Sequence, residues 1–104
     1  MKLRRFEILL PLNYNDGRLI ESGKFMDTNR ELLDEFEALT TDSVEVEGTW
    51  RYRGTFYRDR LVRVTVDAPN RNEASAFFRA YKEILKARFE QKDIWITAHD
   101  VDVI

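Results

Sequence analysis

Four stretches of alternating apolar and polar residues and two amphipathic helical stretches follow one another in the order β-α-β-β-α-β. This order predicts an α+β fold of the ferredoxin-like, split-βαβ type. In that fold two helices cover one face of a four-stranded antiparallel sheet, whose strands we expect in the order 4-1-3-2 with right-handed crossovers. The length of 104 residues fits one domain, which we expect to span residues 1–104.

The first strand and the segment after it are read from periodicity and turn residues. Apolar side chains alternate at Phe6, Ile8 and Leu10, which predicts a strand over residues 3–12. Residues 13–27 open with a dense turn signal and are long for a connection in a compact domain. We therefore expect this segment to be functional or to contain a short irregular element.

The first helix is predicted from its start signal. Thr28 and Glu31 match a capping box, in which the hydroxyl accepts from one backbone amide and the carboxylate reaches back to another. The helix is expected to run from Thr28 to about Leu39. Its apolar stripe is formed by Leu32, Leu33, Phe36 and Leu39.

The two middle strands are predicted to form a hairpin. Residues 44–52 and 61–66 both alternate with a period of two, and Arg53-Gly54-Thr55 between them indicates a tight loop. A three-residue loop places Glu45 opposite Arg63 on the outer face. That pair of opposite charges is expected to stabilise the hairpin by a few tenths of a kcal/mol.

The last two elements are a long helix and a strand. Residues 71–89 carry apolar side chains at helical spacing, and residues 94–98 alternate with Ile94, Ile96 and Ala98 facing inward. The tail at residues 99–104 either extends this strand or frays. The apolar positions of the helix are Ala74, Phe77, Phe78, Tyr81, Ile84, Leu85 and Phe89.

The sheet face opposite the helices is expected to be bare in a monomer. Apolar side chains surrounded by polar ones are typical of an interaction site. Three interpretations remain open: homo-oligomerisation, a small-ligand or protein-binding surface, and a solvated face. The residues predicted to form an interface are Leu9, Leu61, Arg63 and Trp95.

The function hypothesis is a non-catalytic binding or interaction domain that self-associates, as a dimer or a higher oligomer, through its open sheet face. The alternative is a small ferredoxin-like enzyme with a pocket between the sheet and the 13–27 segment. The residues predicted to line that pocket are Tyr14, Arg51, Tyr57, Trp95 and His99.

The residues that could serve as nucleophiles or metal ligands argue against catalysis and against a metal centre. The chain has no cysteine, which excludes disulfides, thiolate zinc sites, iron–sulfur clusters and a thiol nucleophile. No serine lies in a nucleophile-elbow pattern. His99 and Asp100 are neighbours on a strand and point to opposite faces, so they do not converge on a metal ion. We expect no catalytic residues, no metal and no cofactor.

Charge and hydropathy bear on partners and location. A net charge of -2 argues against nucleic-acid binding. The sequence contains no long uncharged apolar stretch, so we expect no membrane span. No signal peptide is recognised, so we expect a cytoplasmic protein. Acidic residues dominate 31–47 and arginines dominate 51–63. This segregation predicts internal pairing or complementary self-association.

The second half of the chain resembles an uncharacterised family of small bacterial domains. The resemblance is carried by Gly48-Thr49-Trp50-Arg51, by Gly54, by Tyr81-Lys82 and by Arg88-Phe89-Glu90-Gln91. In that family a Gly-x-Trp strand precedes a hairpin, and a final helix ends near Arg-Phe-x-Gln. The resemblance implies a fold and a bacterial type of domain, and it implies no activity.

Overall fold

A computed structural model describes residues 1–36, 39–41, 45–69 and 71–104. The ferredoxin-like α+β class is confirmed, with two helices and an antiparallel sheet. The elements in chain order are β1 (Lys2–Pro11), α1 (Ser22–Phe36), β2 (Thr40–Thr41), β3 (Val46–Tyr52), β4 (Thr55–Ala68), α2 (Arg71–Arg88) and β5 (Trp95–Asp102).

The sheet has five strands where four were predicted, because one edge strand is split. The order is β2-β4-β1-β5, and β3 also pairs with β4. β2 pairs with Val64 and Thr65, whereas β3 pairs with residues 55–61, so both occupy the predicted second position. The expected order 4-1-3-2 is therefore recovered. Val44, expected in this strand, lies outside the described residues.

Both helices lie on the same face of the sheet, as predicted. The Phe78 ring of α2 stacks on Phe6 of β1 at 4.3 Å between centroids and on Phe36 of α1 at 5.3 Å. Phe6 and Phe78 are each 3% exposed, so this aromatic cluster forms the middle of the core. Ile84, expected in the apolar stripe of α2, is half exposed and faces solvent.

The prediction that α1 begins at Thr28 is wrong, because the helix begins six residues earlier at Ser22. Thr28 is fully buried in mid-helix, and its hydroxyl donates a hydrogen bond to the carbonyl of Lys24 at 2.8 Å. The apolar stripe continues N-terminally to the partly buried Phe25, which extends the helix past the capping-box residues. Leu33, expected in the stripe, is 45% exposed.

A polar network joins the two helices where the capping box was expected. Arg88 donates to both carboxylate oxygens of Glu31 at 2.8 and 2.7 Å and to the Thr28 hydroxyl at 2.8 Å. The Tyr81 hydroxyl donates to Glu31 at 2.8 Å. The hydrogen bonds from Arg88 lower the pKa of Glu31, and burial together with Glu31 raises the pKa of Tyr81 to about 12.

The hairpin loop has two residues, not three, so the predicted register is wrong by one position. Arg53 and Gly54 have φ values of 50° and 79°, the left-handed pair that a type I′ turn requires. Tyr52 consequently lies opposite Thr55. A shift of one residue moves every side chain of a strand to the other face of the sheet. Glu45 therefore does not face Arg63.

Candidate functional site: the open sheet face

The strand register decides which side chains reach the open face. Side chains at Phe6, Ile8 and Leu10 are buried under the helices, so the odd-numbered residues of β1 point to the other face. Their partners on β4 and β5 point the same way. The open face of β4, β1 and β5 is formed by Leu3, Arg5, Glu7, Leu9, Pro11, Leu61, Arg63, Thr65, Asp67, Trp95, Thr97, His99 and Val101.

An apolar strip, formed by Trp95, Leu9, Leu61 and Val46 around the buried Pro11, crosses this open face. Leu9 lies opposite Trp95 in the β1–β5 pairing. Leu61 lies opposite Pro11 on one side and Val46 on the other. Trp95 is 63% exposed, and Leu9 and Leu61 are half-buried. Three of the four predicted interface residues therefore lie in one continuous strip, and Arg63 lies opposite Leu9 beside it.

The strip continues onto a two-stranded ribbon, which consists of β3 and residues 55–61 of β4. In the described part of the sheet, residues 55–59 pair only with β3. Trp50 and Tyr57 face each other across the ribbon and stack at 4.4 Å between centroids. They are 47% and 40% exposed. An isolated two-stranded ribbon is marginally stable in water, and this one is continuous with the main sheet through β4.

A glycine shapes the junction between the strip and the ribbon. A Cβ atom at Gly48 would lie 3.2 Å from Cδ1 of Leu61, so the leucine side chain occupies the space that the glycine leaves. On the ribbon, the Trp50 indole N–H donates to the Asp59 carboxylate at 2.9 Å. The apolar surface is thus continuous, and the indole N–H of Trp50 within it has a hydrogen-bond acceptor.

The polar part of the open face is held by an ion pair. Arg5 donates two hydrogen bonds to Asp67 at 2.8 and 3.0 Å, and His99 lies opposite Arg5 on β5. These hydrogen bonds hold the pKa of Asp67 below its usual range. His99 and Trp95 project from the same strand about 13 Å apart, too far to act on one small ligand group.

Tyr14 is separated from the rest of the predicted pocket. Its side chain is 6% exposed and belongs to the core with Ile20. The hydroxyl donates to Glu21, which lowers the pKa of that carboxyl. The Arg18 guanidinium and the Lys24 ammonium each lie 4.8 Å from the ring centroid. Tyr14 and Ile20 are thus packed into the core beneath this segment.

The segment predicted as a long 13–27 loop is shorter and more ordered than expected. An isolated bridge joins Asn13 and Leu19, and α1 starts at Ser22. Gly17 takes a φ of 92° in the turn between the bridged residues. The backbone of Tyr14, a residue predicted to line the pocket, holds this turn: its N–H donates to the carbonyl of Arg18 at 2.8 Å, and its carbonyl accepts from Gly17 at 2.9 Å.

Arg51 lies on the wrong face for the predicted pocket. It pairs with Phe56, one residue out of phase with Tyr57, and its guanidinium lies 4.7 Å above the Phe56 ring. Tyr57, Trp95 and His99 do share the open face. The one-residue error in the predicted loop explains this, because it inverted the faces of β3. The same shift places Trp50, which lies opposite Tyr57, on the open face.

The open face presents exposed apolar side chains and one ion pair. Among residues 1–36, 39–41, 45–69 and 71–104, no group of three metal-binding side chains converges. In the same residues no helix is both long and apolar enough to cross a bilayer. The face combines exposed aromatic rings, half-buried aliphatic side chains and a satisfied ion pair. That combination suits the burial of a flat surface.

Comparison with known proteins extends the fold assignment. No protein-family model matches the chain, and no curated protein does. A phage SAM lyase in its apo state aligns with a TM-score of 0.73 and 11% identity over 95% of this chain and 81% of that chain. Phage SAM lyase with S-methyl-5′-thioadenosine gives 0.69 and 11% over 97% and 90%. The CutA1 divalent cation tolerance protein of Thermus thermophilus gives 0.64 and 16% over 99% and 86%. At these identities the similarity shows a shared fold.

Proposed function

We propose that this chain is a non-catalytic interaction domain that self-associates through the open face of its sheet. The observation that carries the proposal is the apolar strip, with Trp95 63% exposed, and its continuation on the ribbon through Trp50 and Tyr57. An aromatic side chain buries roughly 150–250 Å² at an interface, at about 25 cal/mol per Å². Covering this surface is therefore worth several kcal/mol.

A second copy of the chain fits this surface because one copy carries both signs of charge. On the open face itself, Arg63 lies opposite Leu9 and Glu7 lies opposite Thr65, so both signs of charge stand beside the apolar strip. Complementary charges of this kind steer association between copies.

Trp95→Ala is expected to weaken self-association at least tenfold. The indole is the largest exposed apolar group of the strip, and truncation of a central interface tryptophan typically costs 2 kcal/mol or more, about a thirtyfold change in affinity. Sedimentation velocity over a range of protein concentrations measures the shift from oligomer to monomer.

Ile84→Ala is the matched control, because Ile84 is 50% exposed and lies on α2, on the other side of the sheet. It should sediment like the wild type. His99→Ala should also leave the oligomer nearly unchanged. A wild type that is monomeric at all concentrations, or a Trp95→Ala variant that sediments as the wild type does, would refute the proposal.

The second candidate is a small enzyme that acts on an adenine nucleoside bearing sulfur, as the phage SAM lyase neighbours suggest. A specific feature of the open face favours it. Glu7, which lies between Thr65 and Thr97, neighbours the Leu9–Trp95 pair. An exposed aromatic ring can stack on adenine, and a nearby carboxylate can accept hydrogen bonds from ribose hydroxyls.

Titration calorimetry with S-methyl-5′-thioadenosine separates the two functions. Under the enzyme function, the nucleoside binds the wild type, binds Glu7→Gln at least tenfold more weakly, and SAM is consumed at a rate above that without protein. Thr65→Val keeps the carboxylate and serves as the control. No binding and no consumption of SAM would reject the enzyme and leave the interaction domain.

A further inference from the structure

A cleft of about 270 Å³ lies on the helix side of the molecule, between α2 and the edge strand β5. It is on the opposite side of the sheet from the apolar strip, so it takes no part in the proposed self-association surface. β5 pairs only with β1 in the described sheet, and α2 forms the second wall of the cleft. The volume is just below the range of about 300–1,000 Å³ typical of drug-sized ligands, which suits a ligand with one ring.

The walls of the cleft combine an apolar floor with a cationic rim. The stacked Phe6 and Phe78 rings lie at the floor, together with the partly buried Ile96 and Ala98. The rim is formed by Arg4 from β1 and by side chains spaced three and four residues apart on α2. These are Ser75, Arg79 and Lys82.

Positive charge at the rim exceeds the negative charge that faces it. Asp100 is shared between Arg4, at 3.1 Å, and Arg71, at 3.4 Å, so one carboxylate serves two guanidinium groups. Lys82 pairs with Asp93 at 2.9 Å. Arg79 is exposed, and among the described residues no carboxylate lies within 4.0 Å of it.

We propose that this cleft binds a small aryl phosphate, that is, a phosphate group attached to a single flat ring. A guanidinium group presents a planar fork of N–H donors that matches phosphate oxygens, and Arg79 and Arg4 line the same opening. The ring then rests on the apolar floor, where it displaces water from Ile96 and Ala98. The Ser75 hydroxyl, one helical turn before Arg79, can donate a further hydrogen bond to the phosphate.

Titration calorimetry with phenyl phosphate tests the two halves of the site together. Phenyl phosphate should bind at least tenfold more tightly than inorganic phosphate or benzyl alcohol, because each of these offers one half of the recognised chemistry. Arg79→Ala should weaken phenyl phosphate binding about tenfold, the usual loss of a charge-assisted hydrogen bond. Arg53→Ala removes an arginine that is also exposed but lies in the β3–β4 loop, and this variant should bind phenyl phosphate as the wild type does.

Three outcomes would overturn the proposal. They are no binding of phenyl phosphate, equal binding of phenyl phosphate and inorganic phosphate, and unchanged binding in Arg79→Ala. Ser75→Asp provides a second variant, since a carboxylate at the rim should abolish binding without touching the core. Trp95→Ala should bind phenyl phosphate normally, which keeps this result separate from the test of self-association.

Discussion

Phe78→Ala is expected to lower the free energy of unfolding by about 3–5 kcal/mol, the usual cost of truncating a core phenylalanine. The Phe78 ring lies where the sheet, α1 and α2 meet in the core. It stacks on Phe6 of the sheet and Phe36 of α1, and it meets Phe77 edge-on at 5.3 Å between centroids. Its removal leaves a cavity between the sheet and both helices. Urea unfolding followed by circular dichroism measures the loss.

The matched control for the core variant is Ile84→Ala on the same helix. Ile84 is half exposed, so its truncation should change the free energy of unfolding by about 0.5 kcal/mol or less. Equal losses in the two variants would mean that α2 does not pack on the sheet through Phe78. That result would contradict the arrangement of both helices on one face.

Arg88→Met is expected to lower the free energy of unfolding by about 2 kcal/mol. Methionine keeps most of the apolar stem but removes the hydrogen bonds to Glu31 and Thr28. Hydrogen bonds to charged groups contribute about 1.5–3 kcal/mol each when they are buried. The Arg88 side chain is 17% exposed and that of Glu31 is 37% exposed, so water compensates part of the loss.

The pH dependence of stability distinguishes the lost ion pair from lost packing. The pKa of Glu31 is lowered in the folded chain, so its contribution is present above the ordinary value of 4.5 and is lost as the pH falls through the folded pKa. Arg88→Met should therefore differ most from the wild type at neutral pH and least in acid. Parallel stability curves at all pH values would show that the pair contributes nothing.

Lys86→Ala is the control for the helix-to-helix network. Lys86 lies on α2 two residues from Arg88 and pairs only with Glu83 of its own helix at 3.1 Å among the described residues. Exposed pairs of this spacing contribute little, so no measurable loss is expected. Adding Glu31→Gln to Arg88→Met should recover part of the stability, because it removes the carboxylate that lost its partner.

The pattern of apolar residues was enough to predict the fold class and the buried face of most elements. Phe6, Ile8 and Leu10 alternate without interruption, and Phe78 and Leu85 recur at helical spacing, so each element has one buried side. Because successive side chains of a strand point to opposite faces, the same pattern predicts that Leu9 and Trp95 lie on the open face. Their pairing across β1 and β5 matches this expectation.

The start of α1 and the hairpin loop could not be predicted, because local sequence signals there are overridden by tertiary contacts or by an unusual backbone angle. Thr28 and Glu31 have the spacing of a capping box. Both side chains instead accept hydrogen bonds from Arg88 of α2, which is distant in the sequence, at the interface between the helices. The hairpin loop is a second case. Arg53 adopts a positive φ that arginine rarely takes, so the loop appeared one residue longer than it is, and Arg51 was placed on the wrong face.

The split edge of the sheet limits how far a foreign strand can run along it. Thr41 lies opposite Val64 and Val46 lies opposite Leu61, so the pairings of β2 and β3 with β4 differ in register by two positions. An incoming strand in step with β3 therefore loses its register before it reaches β2. Continuous backbone templating along this side, the route by which exposed sheet edges seed fibrils, is confined to the seven residues of β3.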